Sequence, residues 1–197
     1  WMFHRGDIRP TPPRHKMISY QGAKTERYQM GPASPYHYVT DGTQFPTEEK
    51  EYTSEDWEKV TLPHDYLAGD GYDPACSAAL GFCKYDNGWY VKHFDVPAGD
   101  EGKRLTLLFE GVTGHATVTL NGCLMKHNFC GYTPFEVDIT DMVKYGAENS
   151  LAVFVDMTEH EGWWYEGAGI YRPVRLRKTD LCAIDLWGVF ARPERQG

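Results

Sequence analysis

Over residues 57–176 the chain is written in short stretches in which apolar and polar residues alternate, each closed by Gly, Pro, Asn or Asp. Leu105, Leu107 and Phe109 alternate with Thr106, Leu108 and Glu110 until Gly111 breaks the run. A period of two sends successive side chains to opposite faces, so the pattern predicts half-buried strands. The same reading predicts strands at 57–62, 89–96 (stopped by Pro97), 116–120, 124–128, 135–139, 151–155 and 170–176. Asn121-Gly122, between two of these, readily takes the positive φ values of a hairpin turn. Thr140 is placed to cap one short helical turn, and helix is otherwise nearly absent. The strand spacing suits a sandwich or barrel rather than βαβ units. The expected fold is all-β: two packed antiparallel sheets in a jelly-roll β-sandwich whose interior is built from the alternating apolar positions.

The flanks read differently. Residues 1–52 contain Pro10, Pro12, Pro13, Pro32, Pro35 and Pro46, which prevent both helix continuation and central-strand pairing, so an extended arm with short edge strands is expected. Residues 181–190 begin another apolar alternation that stops at Arg192-Pro193-Glu194, as the first strand of a following domain would. The chain begins at Trp1 with no initiator Met and no charged or apolar leader, so its native start is expected upstream, and its last residues look like a cut.

A length of 197 residues suits one medium domain, or one domain plus a fragment of the next, and is too short for a complete multidomain enzyme. No window approaches the run of about 18 apolar residues that a membrane-spanning helix needs. The formal charge of −8 repels phosphate backbones and anionic lipid, so neither nucleic acid nor a membrane is an expected partner. Five cysteines, an odd number without a C-x-x-C pair, indicate neither a zinc knuckle nor a disulfide framework and favour a reducing compartment, with a lean to the cytoplasm.

The aromatic content is high: 6 Trp, 13 Tyr and 9 Phe. Such residues pack β-sandwich cores, and they also offer flat faces on which a sugar ring stacks. The two readings meet at residues 156–172, DMTEHEGWWYEGAGIYR, where three adjacent aromatics lie between acidic residues ahead of a Gly-rich bend. Aromatic faces and carboxylates together are what a carbohydrate site uses. If Trp163, Trp164 and Tyr165 are extended, however, alternation sends Trp164 to the opposite face, so at least one of the three is expected in the core.

Asp156 and His160 with the flanking glutamates match no tight metal-ligand spacing, and zinc is rejected. His64-Asp65 joins an imidazole to a carboxylate, but sequence neighbours on an extended chain point apart, so a turn with local hydrogen bonds is expected. The acidic turn from Gly69 to Pro74 offers oxygens to a cation such as Ca²⁺ and equally reads as a plain surface loop. No G-x-S-x-G elbow, P-loop or dinucleotide-binding glycine motif is present.

Several stretches taken together resemble the N-terminal sugar-binding domain of glycoside hydrolase family 2, which includes β-galactosidases, β-glucuronidases and β-mannosidases. In order they are WMFHRGD from Trp1, WEKVTLPHD from Trp57, GWYVKHF from Gly88, FEGV from Phe109, LNG from Leu120 and GWWYEGAGIYRPV from Gly162. Three features depart from the family pattern: the length and Pro content of residues 8–52, Tyr66 where Trp commonly follows His-Asp, and Trp163 where Arg often stands.

The resemblance implies a galactose-binding-domain-like jelly roll over residues 1–179, with residues 180–197 opening an immunoglobulin-like domain. It implies retaining hydrolysis by two glutamates of a C-terminal (β/α)₈ barrel. The family's acid/base follows an Asn, whereas Asn87, Asn121, Asn128 and Asn149 are followed here by Gly, Gly, Phe and Ser, so no catalytic residue is expected in this chain. The expected role is that of an accessory domain of a β-galactosidase-like enzyme. Its loops at 156–166 and 70–86 would face the barrel, and Glu161, Trp163, Tyr165 and Glu166 would contact a β-galactoside-like sugar or the interface. No metal site and no cofactor are expected, a cation in the parent enzyme aside. The immunoglobulin-like and barrel domains are expected intramolecular partners, and a homo-oligomer is open. An autonomous carbohydrate-binding module and a purely structural or oligomerisation domain remain as other roles.

Overall fold

Alternation becomes strand pairing in the computed structural model, which describes residues 1–6, 57–157 and 162–194. Among these residues nine strands form: β1 (Met2–Arg5), β2 (Glu58–Lys59), β3 (Gly88–Val96), β4 (Arg104–Phe109), β5 (His115–Leu120), β6 (Cys123–Asn128), β7 (Phe135–Asp138), β8 (Ala147–Asp156) and β9 (Val174–Thr179). Six make one sheet in the order β2-β1-β3-β8-β5-β6, and three make a second in the order β7-β4-β9. Every pairing is antiparallel. The expected all-β sandwich is the observed fold.

The two sheets meet over the alternating positions. Leu105, Leu107 and Phe109 of β4 and Phe135 and Val137 of β7 pack against Tyr90, Val118, Leu151, Val153 and Val155 of the larger sheet. The Phe109 and Phe135 rings stack with centroids 4.9 Å apart. Each such side chain, fully buried, stabilises the fold by about 1.5–3 kcal/mol. The larger sheet is also buried on its outer face, where Trp89, Val91, Ala152 and Phe154 cluster with Trp57.

Asn121 and Gly122 turn the β5–β6 hairpin with φ of 49° and 83°, as their sequence predicts. Met142 and Val143 N–H groups both donate to the Ile139 carbonyl, closing the single turn expected near Thr140. Thr140 itself braces β4 rather than acting only as a cap, since its Oγ1 accepts from the Leu105 N–H at 3.0 Å.

Three expectations change. β1 is no edge strand, because it lies between β2 and β3; the rest of the expected arm falls outside the described residues. The strand expected at 57–62 shrinks to Glu58–Lys59, and the one expected at 170–176 is shifted to Val174–Thr179. The sequence between them pairs elsewhere: His64 N–H donates to the Ile170 carbonyl and Tyr66 N–H to the Ala168 carbonyl, a strut that draws both segments out of the sheets. Finally, no strand forms within 180–194, where Leu181, Ile184, Trp187, Val189 and Phe190 are exposed. Among the described residues no strand pairs with that stretch.

Candidate functional site

The strut between residues 64–66 and 168–170 carries one end of the sandwich, and two glycines allow it. Gly169 has φ of +109°, and a Cβ there would lie 2.2 Å from the Tyr90 hydroxyl and 2.8 Å from the His64 carbonyl oxygen. Gly167, at φ +73°, would push a Cβ to 2.8 Å from the Asp65 carboxylate. Only a residue without a side chain permits so close an approach in the left-handed region.

His64 and Asp65 point apart across this strut, as adjacent residues on extended chain should. The half-buried His64 imidazole turns inward, its Nδ1 2.8 Å from the Tyr90 hydroxyl and its ring edge-on to Phe3. Burial lowers its pKa despite the nearby charges of Glu58 and Asp65. Asp65 turns to the loop. Its Oδ1 accepts from the Leu67 and Ala168 N–H groups, both at 3.0 Å, and its Oδ2 accepts from the Tyr165 hydroxyl at 2.8 Å. Burial, and then the hydrogen bond to Asp65, push the Tyr165 phenol well up, so it stays a neutral donor.

The aromatic loop closes on itself through Glu166, whose Oε1 accepts from the Gly162 N–H at 2.5 Å while its own N–H donates to the Tyr85 hydroxyl at 3.1 Å. Trp164 is held from the neighbouring loop: its Nε1 donates to the Tyr132 hydroxyl at 2.9 Å. That neighbouring loop is itself tied down by the Tyr171 hydroxyl, which donates to the Gly131 carbonyl.

Trp163, Trp164 and Tyr165 are 78%, 49% and 43% exposed. The expectation that one of them joins the core is therefore overturned. Residues 163–164 form a bend, so strand alternation does not apply to them. Of the four residues singled out in the sequence, Trp163, Tyr165 and Glu166 share this loop, and Glu161 lies outside the described residues. Glu166 spends one carboxylate oxygen, Oε1, on closing the loop. Asp65, Tyr85 and Tyr132 went unrecognised as supports, since their partners are 100, 81 and 32 residues away in sequence.

Beside Tyr165 lies a cavity of about 430 Å³, lined by Leu67, Ala68, Asp70, Tyr72, Gly81, Cys83 and Tyr165. Arg5 of β1 braces its rim. The guanidinium donates to both Asp70 oxygens, at 2.9 and 2.7 Å, and to the Lys84 carbonyl at 2.9 Å; its Nε lies 3.3 Å from Asp86. These bonds hold the acidic turn closed with the protein's own donors, and Asp73 is occupied by the Ala75 N–H. Among the described residues no three His, Cys, Asp or Glu side chains gather to hold a metal. A second concavity of about 260 Å³ on the outer face of the three-stranded sheet is lined by residues including Arg104, Glu136, Asp138 and Arg177. It presents no aromatic face, and Glu136 and Arg177 there are already paired with each other.

The loop is thus an exposed aromatic group on a rigid base next to a half-open cavity, the combination carbohydrate sites use. The family described as "Glycosyl hydrolases family 2, sugar binding domain" matches residues 75–180, more than half of the chain. The chain is 35% identical over 142 residues to the β-galactosidase BoGH2A of Bacteroides ovatus, covering 71% of this chain and 17% of that protein. It is 32% identical over 156 residues to a β-glucuronidase of Formosa agariphila, covering 68% of this chain and 15% of that one. A solved glycosyl hydrolase family 2 member from Bacteroides cellulosilyticus superposes with a TM-score of 0.62 at 30% identity, over 91% of this chain and 20% of the other. The chain spans less than a fifth of the length of these two curated relatives. Sheet order, ordered motifs and the matched residues 75–180 converge, and the chain belongs to family 2 of the glycosyl hydrolases, carrying that family's sugar-binding domain.

Proposed function

We propose that this chain is the accessory sugar-binding domain of a longer retaining β-glycosidase, in which the loop at 162–166 forms part of the rim of a substrate pocket completed by a catalytic barrel. The observation that carries this reading is that three aromatics are exposed together on one loop, while the hydrogen bonds that Tyr165 donates to Asp65 and Trp164 donates to Tyr132 fix two of them from beneath. Aromatic side chains exposed to water and yet held in place are preorganised to meet a ring or a partner surface. The chain's own residues do no bond breaking here; they orient a sugar and exclude water at its edge. The two catalytic glutamates of the family would come from the barrel.

The sugar this rim fits is a neutral one, β-galactoside-like, rather than a β-glucuronide. Around the loop stand the carboxylates of Asp65, Asp70, Asp86 and Glu166, while Arg5 and Lys84 are already engaged with Asp70 and Asp86. No unpaired cation lines the cavity to receive a uronate carboxylate. The exposed apolar residues Leu181, Ile184, Trp187, Val189 and Phe190 are suited to contact the immunoglobulin-like and barrel domains of the longer protein.

The test is kinetic and uses the longer enzyme. Trp163→Ala and Tyr165→Ala are each expected to lower kcat/KM for an aryl β-galactoside at least tenfold, with the thermal midpoint little changed for Trp163→Ala. Unchanged kcat/KM in both variants would sink the proposed contact, and faster turnover of the β-glucuronide by the parent enzyme would sink the neutral-sugar assignment.

A further inference from the structure

Two pairs of cysteines in this sequence share one spacing: Cys76 with Cys83 and Cys123 with Cys130, each pair seven residues apart. An unfolded chain closes either pair at nearly equal entropic cost, because that cost depends on loop length. The fold treats them in opposite ways. Cys123 opens β6, whose extended backbone carries the chain about 16 Å to Asn128, at ~3.3 Å per residue, before Cys130 is reached. Cys76 and Cys83 lie instead on the two arms of a loop that folds back on itself.

Three backbone hydrogen bonds close that loop, each of 2.9 Å: Asp73 N–H donates to the Phe82 carbonyl, Phe82 N–H to the Ser77 carbonyl, and Cys76 N–H to the Asp73 carbonyl. Cys76 therefore sits between two residues bonded to Phe82, and Cys83 is the next residue after Phe82. Residues joined in this way hold their Cα atoms about 5–6 Å apart, and a disulfide spans Cα atoms about 4.4–6.8 Å apart. Each cysteine thus stands one residue from a backbone pair already at bridging distance. Within residues 71–79 Cys76 alone is half-buried while the others are exposed, so its side chain turns into the loop. Cys83 is buried, and its thiol donates to the Gly81 carbonyl at 3.4 Å.

Burial raises the Cys83 pKa, and the charges of Asp70, Asp65 and Cys76 raise it further, so the more accessible Cys76 is the thiol that meets a reagent first. The loop also touches the aromatic one. A Cβ at Gly81 would lie 3.6 Å from the Tyr165 Cβ, and Cys83 and Tyr165 line the same cavity.

We propose that Cys76 and Cys83 are a reversible thiol–disulfide pair, oxidised by a low-molecular-weight disulfide such as oxidised glutathione, whose closure reshapes the wall beside Tyr165. The Cys76 thiolate attacks one sulfur of the glutathione disulfide, the S–S bond breaks, and one glutathione leaves with the proton that Cys76 gave up. The Cys83 thiol then loses its proton, its sulfur attacks the Cys76 sulfur, and the second glutathione leaves with that proton. Two protein thiols are oxidised to one disulfide, and one glutathione disulfide is reduced to two thiols. Exposed backbone over most of the loop lets the two sulfurs reach bonding distance. The pair goes beyond the sugar-binding reading and does not depend on it.

The test starts from the reduced chain, which is incubated with oxidised glutathione, quenched in acid, alkylated and digested with trypsin. Cys76 and Cys83 fall in one peptide, residues 60–84, which loses two hydrogens and both alkylation sites when the pair closes. In the folded chain this pair is expected to close about tenfold faster than Cys123 with Cys130, or more. In urea, where spacing alone counts, the two rates should agree within about twofold. Cys83→Ala is expected to trap glutathione on Cys76, whereas Cys76→Ser is expected to leave Cys83 largely unmodified. On oxidation the Tyr165 ring signals should shift in NMR spectra and return with dithiothreitol, while the Trp187 indole stays as it is.

Glutathione retained on Cys76 of the unsubstituted chain without a closed peptide would overturn the pair, as would equal closure of the two pairs in the folded chain. Rapid modification of Cys83 in Cys76→Ser would overturn the order of attack. Unmoved Tyr165 signals in the oxidised chain would overturn the link to the aromatic loop. Should Cys83→Ala not fold, the two rates in the unsubstituted chain decide the matter alone.

Discussion

Two stretches of this chain expose aromatic and aliphatic side chains to water, and they are built in opposite ways. In the loop at 162–166, Trp163, Trp164 and Tyr165 project from a base tied to three other segments, through Asp65 and the strut at residues 64–66, through Tyr85 and through Tyr132. In residues 181–190, Leu181, Ile184, Trp187, Val189 and Phe190 are 69–88% exposed, and the hydrogen bonds holding the segment are local ones around Asp185. Trp187 even sits at φ 56°, a left-handed conformation that costs a large side chain energy. Exposure alone therefore does not mark a binding site. What separates the two is anchorage: the first is tied to distant segments by hydrogen bonds, and the second is exposed apolar surface next to hydrogen bonds local to Asp185.

The sharpest way to break the comparison is at Gly169. Gly169→Ala places a Cβ against the Tyr90 hydroxyl and the His64 carbonyl at a φ that disfavours any side chain, so a loss of about 3 kcal/mol or more is expected in urea denaturation. Trp187→Ala is expected to change stability by no more than about 0.5 kcal/mol. If the two variants lose the same amount, the strut is not what supports the aromatic loop.

Asp65 comes next. Asp65→Ala removes the acceptor of two backbone N–H groups and the Tyr165 hydroxyl, and a loss of about 2 kcal/mol is expected. Asp65→Asn keeps an oxygen for Leu67 and Ala168, so it should recover more than half of that. A drop in Tyr165 order in Asp65→Ala but not in Asp65→Asn, read from ring NMR signals, would show that a hydrogen-bonding side chain at this position holds the aromatic, and a drop in both would assign that role to the carboxylate itself. Unchanged order in both variants would mean that packing alone holds the ring.

These supports explain how much could be read in advance. The strands were legible because alternation is local: β4, β5 and β7 lie where Leu105, Val118 and Phe135 set a period of two. The hairpin was legible because Asn121-Gly122 carries its own turn chemistry. The loop's composition also stood out in the sequence. Its conformation did not, because it is set by partners such as Asp65 and Tyr85, whose proximity exists only after the sheets have paired. The early end of the first strand and the late start of the last were hidden for the same reason: residues 64–66 and 168–170 choose each other over the sheets.

The mildest test uses pH and acts on one side of the comparison only. His64 lies on the strut, and burial lowers its pKa below the ordinary 6.5. Above pH 6.5 the imidazole is neutral in folded and unfolded chains alike, and its contribution is fully present. As pH falls below that value the unfolded chain takes up a proton that the folded one resists, so stability is lost until the pH has passed through the folded pKa. The slope is bounded at about 1.4 kcal/mol per pH unit and should be well below that for a half-exposed ring. His64→Gln keeps a polar group near the Tyr90 hydroxyl but cannot titrate. Between pH 7 and 5 its urea midpoint should therefore fall less than that of the unsubstituted chain. Over the same range the Trp164 indole signal, above the strut, should broaden in the unsubstituted chain while that of Trp187 stays as it is. Equal broadening of both indoles, or equal acid loss in both proteins, would show that the two exposed stretches share one stability and that the strut does not set them apart.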